Sequence, residues 1–162
     1  PQDFQFNCPK IFVLSNKAFE SVQLKTCIDE LERLGRSAIF CVGLPTENYS
    51  KVVQTQVQRR IDLLAIEQNA WKLAAYDKRC VVVETKTELD WAVKNGQISV
   101  WAPAKMLLDS KNLPNFDLNN TAYLSEWLAN EFGAQYLTLI GDIPNTDCSI
   151  KTETIPLSPD FS

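Results

Sequence analysis

The sequence predicts an α/β protein, a three-layer α/β/α sandwich built on a largely parallel central sheet. Five short apolar runs lack polar alternation, which is typical of parallel strands that are covered on both faces. Segments with helical spacing separate these runs, and strands that alternate with helices indicate βαβ units. The five runs are IFVL at 11–14, AIFCV at 38–42, CVVV at 80–83, ISVW at 98–101 and YLTLI at 136–140.

Four helical segments follow from the spacing of the apolar residues and from glycine or Asn-Gly stop signals. They cover 24–34, about 46–76, 88–96 and 124–132. The second is longer than most helices, so we expect a bend or a break within it. Its apolar residues recur at steps of four and three, which predicts one stripe along the helix. The stripe consists of Val53, Val57, Ile61, Leu64, Gln68, Trp71 and Ala75.

Length and composition predict one domain. The chain has 162 residues, of which 45% are hydrophobic and 22% charged, an ordinary globular composition. We therefore expect a single domain over 1–162 with its core at about 10–141. After Ile140 the periodicity stops, so we expect 142–162 to form a loosely ordered tail with at most one short strand, ETIPL at 153–157.

The composition also limits the chemistry and the partners. Histidine is absent, which excludes Ser-His-Asp and Cys-His catalysis and the usual zinc sites, so we expect no metal site. The net charge is −4 and the basic residues are scattered, so no nucleic-acid partner is expected. No apolar run approaches the ~20 residues that cross a bilayer. Five cysteines without a CxxC pair, and a start without signal-peptide features, predict reduced thiols in a cytoplasmic protein.

Four stretches occupy the edge of the predicted sheet where α/β proteins bind ligands, outside the carboxyl ends of the strands. They are SNKAF at 15–19, VGLPTENY at 42–49, WAPAKMLLD at 101–109 and the loop before the last helix. Phosphate binding there would need backbone N–H groups, glycine and lysine. Simpler interpretations stay open, namely an exposed turn lysine, a helix start, a lysine that meets a carboxylate, and helix capping. No paired carboxylates converge, so we name no catalytic residue. The candidate substrate- or anion-binding residues are Lys17, Gly43, Lys105, Asn119, Asn120 and Thr121.

The order of these stretches resembles the amino acid kinase superfamily, which includes aspartokinase, acetylglutamate kinase and uridylate kinase. The likeness is greatest to the aminomethylfuran-phosphate kinase type and covers about residues 10–141. The corresponding pieces read IFVLSNKAF, FCVGLPTENYSKVV, LLAIEQNAWKLAAY, ISVWAPAKMLLD and LPNFDLNNTAYLSEWLANEFGAQYLTLIG. The last block is the most specific. Its matching residues are Leu124, Trp127, Leu128, Ala129, Gly133, Ala134 and Leu139.

The chain departs from the family pattern wherever such kinases hold phosphate. The family's opening lysine aligns near Leu14, and the two glycines after it align near Asn16 and Lys17. Gly43-Leu44-Pro45 stands where the family has a glycine triplet, and Thr121-Ala122 stands where it has a Ser-Asp pair. Gly141 replaces the family's final lysine. Phosphoryl transfer depends on positioning and on charge stabilisation, and one lost donor costs a hundredfold or more. About twenty residues follow Gly141, whereas the family spends several tens on its nucleotide lobe. The resemblance therefore implies a degenerate, truncated member that no longer transfers phosphate.

Such a pseudoenzyme would act as a binding or assembly subunit with no cofactor, as the resemblance implies. It would bind a small molecule and form a homo-oligomer, or a hetero-oligomer with a related subunit, through the long helix near Trp71 and Tyr76. Burial in the protein core explains Trp71 equally well at this point. The same resemblance implies C1-carrier cofactor metabolism of the methanofuran or pterin type. The alternative is an active ATP- and Mg²⁺-dependent small-molecule kinase with a rebuilt site that uses Lys17 and Lys105. A third hypothesis is a metabolite sensor that binds an organic anion without ATP.

Overall fold

The computed structural model describes residues 8–46, 56–109, 117–145 and 148–159. These ranges contain six strands and five helices, with a short 3₁₀ turn at Asn16–Ala18 after the first strand. The strands are β1 (Lys10–Leu14), β2 (Ala38–Val42), β3 (Cys80–Val83), β4 (Ile98–Trp101), β5 (Tyr136–Ile140) and β6 (Lys151–Ile155). The helices are α1 (Val22–Leu34), α2 (Gln56–Tyr76), α3 (Lys86–Lys94), α4 (Ala104–Asp109) and α5 (Thr121–Glu131). Strands and helices alternate up to β4, two helices separate β4 from β5, and β6 follows β5 without a helix between them.

The five predicted strands are all present, and they belong to one parallel sheet. The sheet has six strands in the order β3-β4-β2-β1-β5-β6, and every neighbouring pair is parallel. Helices flank it, so the α/β prediction with a largely parallel sheet is confirmed. The central strand β2 has every residue buried, which explains why its sequence shows no polar alternation.

The two faces of the sheet carry different helices. The Phe12 and Phe40 rings pair edge to face at a centroid distance of 5.2 Å, and Phe12 lies beside Val22 of α1. Trp101 of β4 points to the opposite face, where its ring stacks on Trp127 of α5 at 6.0 Å. Helices on both faces explain the apolar runs of the buried strands.

The predicted tail contains the sixth strand. We expected 142–162 to be loosely ordered with a strand at 153–157, whereas β6 begins at Lys151 and pairs along its whole length with β5. The carboxylate of Glu126, which is 7% exposed in α5, holds the start of this strand. Its Oε1 accepts hydrogen bonds from the backbone N–H groups of Ser149 at 3.2 Å and Ile150 at 3.1 Å. Packing against α5 and pairing with β5 thus place this segment in the sheet.

The long helix is continuous where it is described. α2 runs for 21 residues from Gln56 to Tyr76. Of the bend or break that we expected, a break does not occur in this range. Residues 47–55, which include Val53 of the predicted stripe, lie outside the described residues. None of the helices in the described ranges combines the length and the apolar character that crossing a bilayer requires.

Candidate functional site

The sheet has a topological switch point between β1 and β5. The chain leaves β1 towards β2 on one side, and it leaves β5 towards β6 on the other. In open α/β sheets, ligands bind in the crevice that such a divergence opens beyond the carboxyl ends of the strands. A cavity of about 700 Å³ lies here, between the turn after β1 and the loop after β5. We call it, together with the chamber described next, the switch-point cleft.

The inner end of the cleft is a chamber of about 220 Å³. It shares four residues with the larger cavity, namely Ser15, Asn16, Asp142 and Ile143. The N-terminus of α5 and the turn after β2 form its other walls. The two spaces together are large enough for a metabolite-sized ligand.

Five of the six predicted site residues line this cleft. Lys17 lines the outer cavity, and four more line the inner chamber. The sixth, Lys105, does not line the cleft, because it follows β4, which lies two strands away from β1. The chamber residues are Gly43, Asn119, Asn120 and Thr121.

A buried amide ties the floor of the cleft to α2. Asn69 is 3% exposed, and its Nδ2 donates to Asn16 Oδ1 at 2.8 Å and to the Gly43 carbonyl at 2.9 Å. Asn16 Nδ2 in turn donates to the Leu44 carbonyl at 3.1 Å and to Thr46 Oγ1 at 3.3 Å. The two asparagines therefore connect the turns after β1 and β2 to each other and to the helix.

Gly43 allows the turn after β2 to pack closely against α5 and does not form an anion-binding turn. It is not among the glycines with a positive φ. A Cβ at this position would overlap Thr121 Oγ1 and lie 3.3 Å from Thr121 Cβ. The space that glycine provides at this turn is thus occupied by a threonine side chain of α5.

Helix capping accounts for part of the Asn-Asn-Thr loop. Asn120 is the N-cap of α5, and its side-chain oxygen accepts from the Tyr123 backbone N–H at 3.1 Å. Asn119 and Ser15 differ, because Asn119 Oδ1 and Ser15 Oγ are buried without a hydrogen-bond partner among the described residues. Buried polar atoms without partners are costly, and the residues that carry these two atoms both line the inner chamber.

Gly141 is a site residue that the sequence interpretation treated only as a lost lysine. Its φ is +101°, and an added Cβ would overlap Ser15 Oγ and lie 2.9 Å from Ser15 Cβ. Gly141 therefore lets the loop after β5 turn and lets Ser15 approach it. The signal in the sequence was the glycine directly after a buried strand.

Lys105 lies in a separate charged group with two glutamates. Glu67 of α2 is beside Glu84, which follows β3, and beside Lys105. Burial raises the pKa of the Glu67 carboxyl, the Glu84 carboxyl raises it further, and Lys105 lowers it. The charge effect of Lys105 on Glu67 agrees with the interpretation that this lysine lies near a carboxylate, although the two form no ion pair within 4 Å.

Substitution Glu67→Gln should raise the free energy of unfolding at pH 8 by less than about 1 kcal/mol, the scale of partly exposed charge interactions. A raised pKa in the folded state stabilises the protein at low pH, and this contribution is lost as the pH rises through the folded-state value. The gain should therefore disappear below the ordinary glutamate pKa of 4.5. Urea unfolding at several pH values measures it, with the exposed Glu131→Gln as control. A gain that is equal at pH 4 and pH 8 would contradict the assignment.

Three of the five cysteines lack the features of catalytic thiols. None of the five forms a disulfide. Burial raises the pKa of Cys27 to about 11 and the pKa values of Cys41 and Cys80 to about 12, so these thiols carry almost no thiolate at neutral pH. In the part of the chain that the structure describes, no group of three or more Cys, Asp or Glu side chains is placed to hold a metal ion.

The chain matches neither a protein-family model nor a curated protein. The resemblance to the amino acid kinase superfamily therefore depends on the sequence motifs alone.

Proposed function

We propose that the chain is a non-catalytic, amino acid kinase-like domain that binds a small polar ligand in the switch-point cleft. The observation that carries this proposal is the cleft itself, which lies where α/β sheets bind ligands. Two of its lining residues, Ser15 and Asn119, have a buried side-chain oxygen without a partner among the described residues. C1-carrier cofactor metabolism is the pathway that we propose for the ligand, on the resemblance alone.

Three features of the cleft support binding without phosphoryl transfer. Gly43 is packed against Thr121, so it offers no space to a phosphate group. The Asn16 side-chain amide is already hydrogen-bonded to Asn69 and to the turn after β2. Lys17 is the only lysine that lines the cleft in the described residues, and one exposed lysine provides little of the charge stabilisation that phosphoryl transfer requires.

The alternative is an active ATP- and Mg²⁺-dependent kinase with a rebuilt site. Lys17 and Asp142 line the same outer cavity, so this cavity has one cation and one carboxylate in its wall. Lys105 would have to act from beyond β4, outside the residues that line the cleft. The observed geometry therefore favours binding over catalysis.

A thermal-shift screen tests the two functions. The probes are amino acids, dicarboxylic acids, and ATP or ADP with Mg²⁺. We expect a rise in Tm with a small organic acid or amino acid and none with nucleotides. Lys17→Ala should abolish the rise, whereas Lys25→Ala, an exposed lysine on α1, should leave it unchanged. A shift that requires both ATP and Mg²⁺, or no shift with any probe, would contradict the proposed function.

A further inference from the structure

A groove runs beside α1, on the face of the sheet that lies opposite α5. Its volume is about 430 Å³, within the range of small-molecule sites. α1 forms one wall from Val22 to Leu34, which corresponds to about 18 Å of helix. β1, β5 and β6 form the floor. The groove shares no lining residue with the switch-point cleft, so it is a separate space.

The parallel sheet lacks its usual cover at this groove. The strands of an all-parallel sheet are normally covered on both faces, yet α1 is the only helix among the described residues that lines the groove. Phe12 is the register partner of Thr138, and Thr138 is the register partner of Glu153. The floor therefore extends from β1 to the edge strand β6 without a second helix above it.

The walls of the groove are apolar along most of its length. Val22 and Leu34 are 71% and 56% exposed, and Cys27 and Ile155 are partly exposed. The Phe12 ring closes the floor between them. An alkyl chain that lies against these side chains would remove apolar surface from water on both sides of the contact, and such burial stabilises a complex.

Two cations lie at one end of the groove without an ion-pair partner. Lys10 and Arg36 both line the groove, and the Lys10 backbone N–H donates to the carbonyl of Ser37, the residue after Arg36, at 3.3 Å. Neither side chain belongs to an ion pair in the described ranges. Burial raises the pKa of the Cys27 thiol to about 11, and the Lys10 charge lowers it in part. The Lys10 ammonium group therefore lies near the apolar wall.

The two acidic residues of the groove already have partners. Glu30 forms an ion pair with Arg33, and Glu153 accepts a hydrogen bond from Thr138 Oγ1 at 3.2 Å. The charge that remains for a ligand is therefore positive. It is confined to the end of the groove where α1 ends and β1 begins.

We propose that this groove binds an amphiphilic monocarboxylate, such as a medium-chain fatty acid. Its carboxylate lies at Lys10 and Arg36, and its alkyl chain runs along α1 towards Val22. An alkylammonium ion would be repelled by the two cations, and a dicarboxylate would have to bury its second charge against the apolar wall. The proposal does not depend on the cleft, so the two binding sites can fail separately.

Titration calorimetry of the full chain with hexanoate, octanoate and octylamine tests the ligand class. Octanoate should bind roughly tenfold more tightly than hexanoate, because each fully buried methylene strengthens binding about fourfold. Octylamine, which is protonated at neutral pH, should not bind. No binding of octanoate, an equal affinity for hexanoate, or an equal affinity for octylamine would overturn the proposal.

Charge-removing variants test the position of the carboxylate. Lys10→Gln and Arg36→Gln should each weaken octanoate binding about fivefold, the upper end for a partly exposed ion pair. Neither should change the affinity for the uncharged octanol, and this difference separates a contact with the carboxylate from a change in the fold. Lys25→Gln, at an exposed residue of α1 outside the groove, is the matched control. An equal loss for octanoate and octanol would overturn the assignment of the two cations.

A groove-filling variant tests the position of the alkyl chain. Thr26 is an exposed residue of the α1 wall, so Thr26→Trp should fill the groove and weaken both octanoate and octanol at least tenfold, while circular dichroism shows an intact fold. Lys25→Trp, at the neighbouring exposed position outside the groove, controls for a new surface indole. Octanoate binding that Thr26→Trp does not weaken would lie elsewhere, for example in the cleft, and would overturn the proposal.

Discussion

Replacing Gly141 with alanine should lower the free energy of unfolding by about 3 kcal/mol or more. The backbone at Gly141 has φ +101°, a conformation that costs a non-glycine residue roughly 1–3 kcal/mol. The new Cβ would also overlap Ser15 Oγ and approach Ser15 Cβ to 2.9 Å, and such overpacking costs typically another 1–3 kcal/mol. Urea unfolding, followed by circular dichroism, measures the change.

The control for this prediction is Gly133→Ala. Gly133 also has a positive φ of +68°, but an added Cβ there meets nothing within 4 Å. It should therefore cost about 1 kcal/mol, from backbone strain alone. The double variant Ser15→Gly/Gly141→Ala should recover the part of the loss that comes from the clash. Equal losses in Gly141→Ala and Gly133→Ala would show that the contact with Ser15 has no energetic weight.

The sequence predicted the buried strands well, because a strand that is buried on both faces is a continuous run of apolar residues. β2, β3, β4 and β5 begin and end where their apolar runs do. β6 leaves no such trace, because KTETI is an edge strand with exposed charged residues. Its position depends on pairing with β5 and on the Glu126 carboxylate, which is 23 residues distant in sequence from Ser149. Contacts of this range cannot be inferred from local periodicity.

The same distinction applies to the cleft. Parallel strands bring their carboxyl ends to one edge, so residues that follow strands, such as Lys17 and Gly43, and a residue at the start of a helix, such as Thr121, could be placed near a common site. Lys105 follows a strand as well, but the order of strands puts β2 and β1 between β4 and β5. Strand order is a property of the whole fold, and so the separation of Lys105 from the cleft could not be predicted.

The orientation of α2 was also beyond a pattern-based prediction. Its spacing identified one stripe from Val53 to Ala75. The structure turns the described part of this stripe, from Val57 onwards, outward and buries the neighbouring stripe, which includes Ile66 and Leu73. Both stripes are apolar, so periodicity alone does not say which one meets the sheet. The buried stripe includes Asn69, a polar residue with no strand beside it in sequence. No feature of the sequence around Asn69 indicated that it contacts the cleft.

Asn69→Leu should lower the free energy of unfolding by about 2–3 kcal/mol, because each buried polar group left without a partner costs about 1–3 kcal/mol. Leucine has a similar volume but cannot donate, so it leaves the Gly43 carbonyl and Asn16 Oδ1 unpaired. Urea unfolding measures the loss, and Asn130→Leu, at an exposed position of α5, is the matched control. Equal stability of the two variants would contradict a structural role for the Asn69 amide.

A double-mutant cycle with Asn16→Ala separates the two hydrogen bonds of Asn69. If the Asn69–Asn16 contact carries part of the energy, the loss in the double variant should be smaller than the sum of the single losses by about 1 kcal/mol. The remainder belongs to the bond with the Gly43 carbonyl, which fixes the turn after β2. Because these turns form the walls of the cleft, Asn69→Leu should also remove the ligand-dependent rise in Tm, whereas Asn130→Leu should preserve it. A stable Asn69→Leu protein that keeps this rise would show that α2 does not position the cleft.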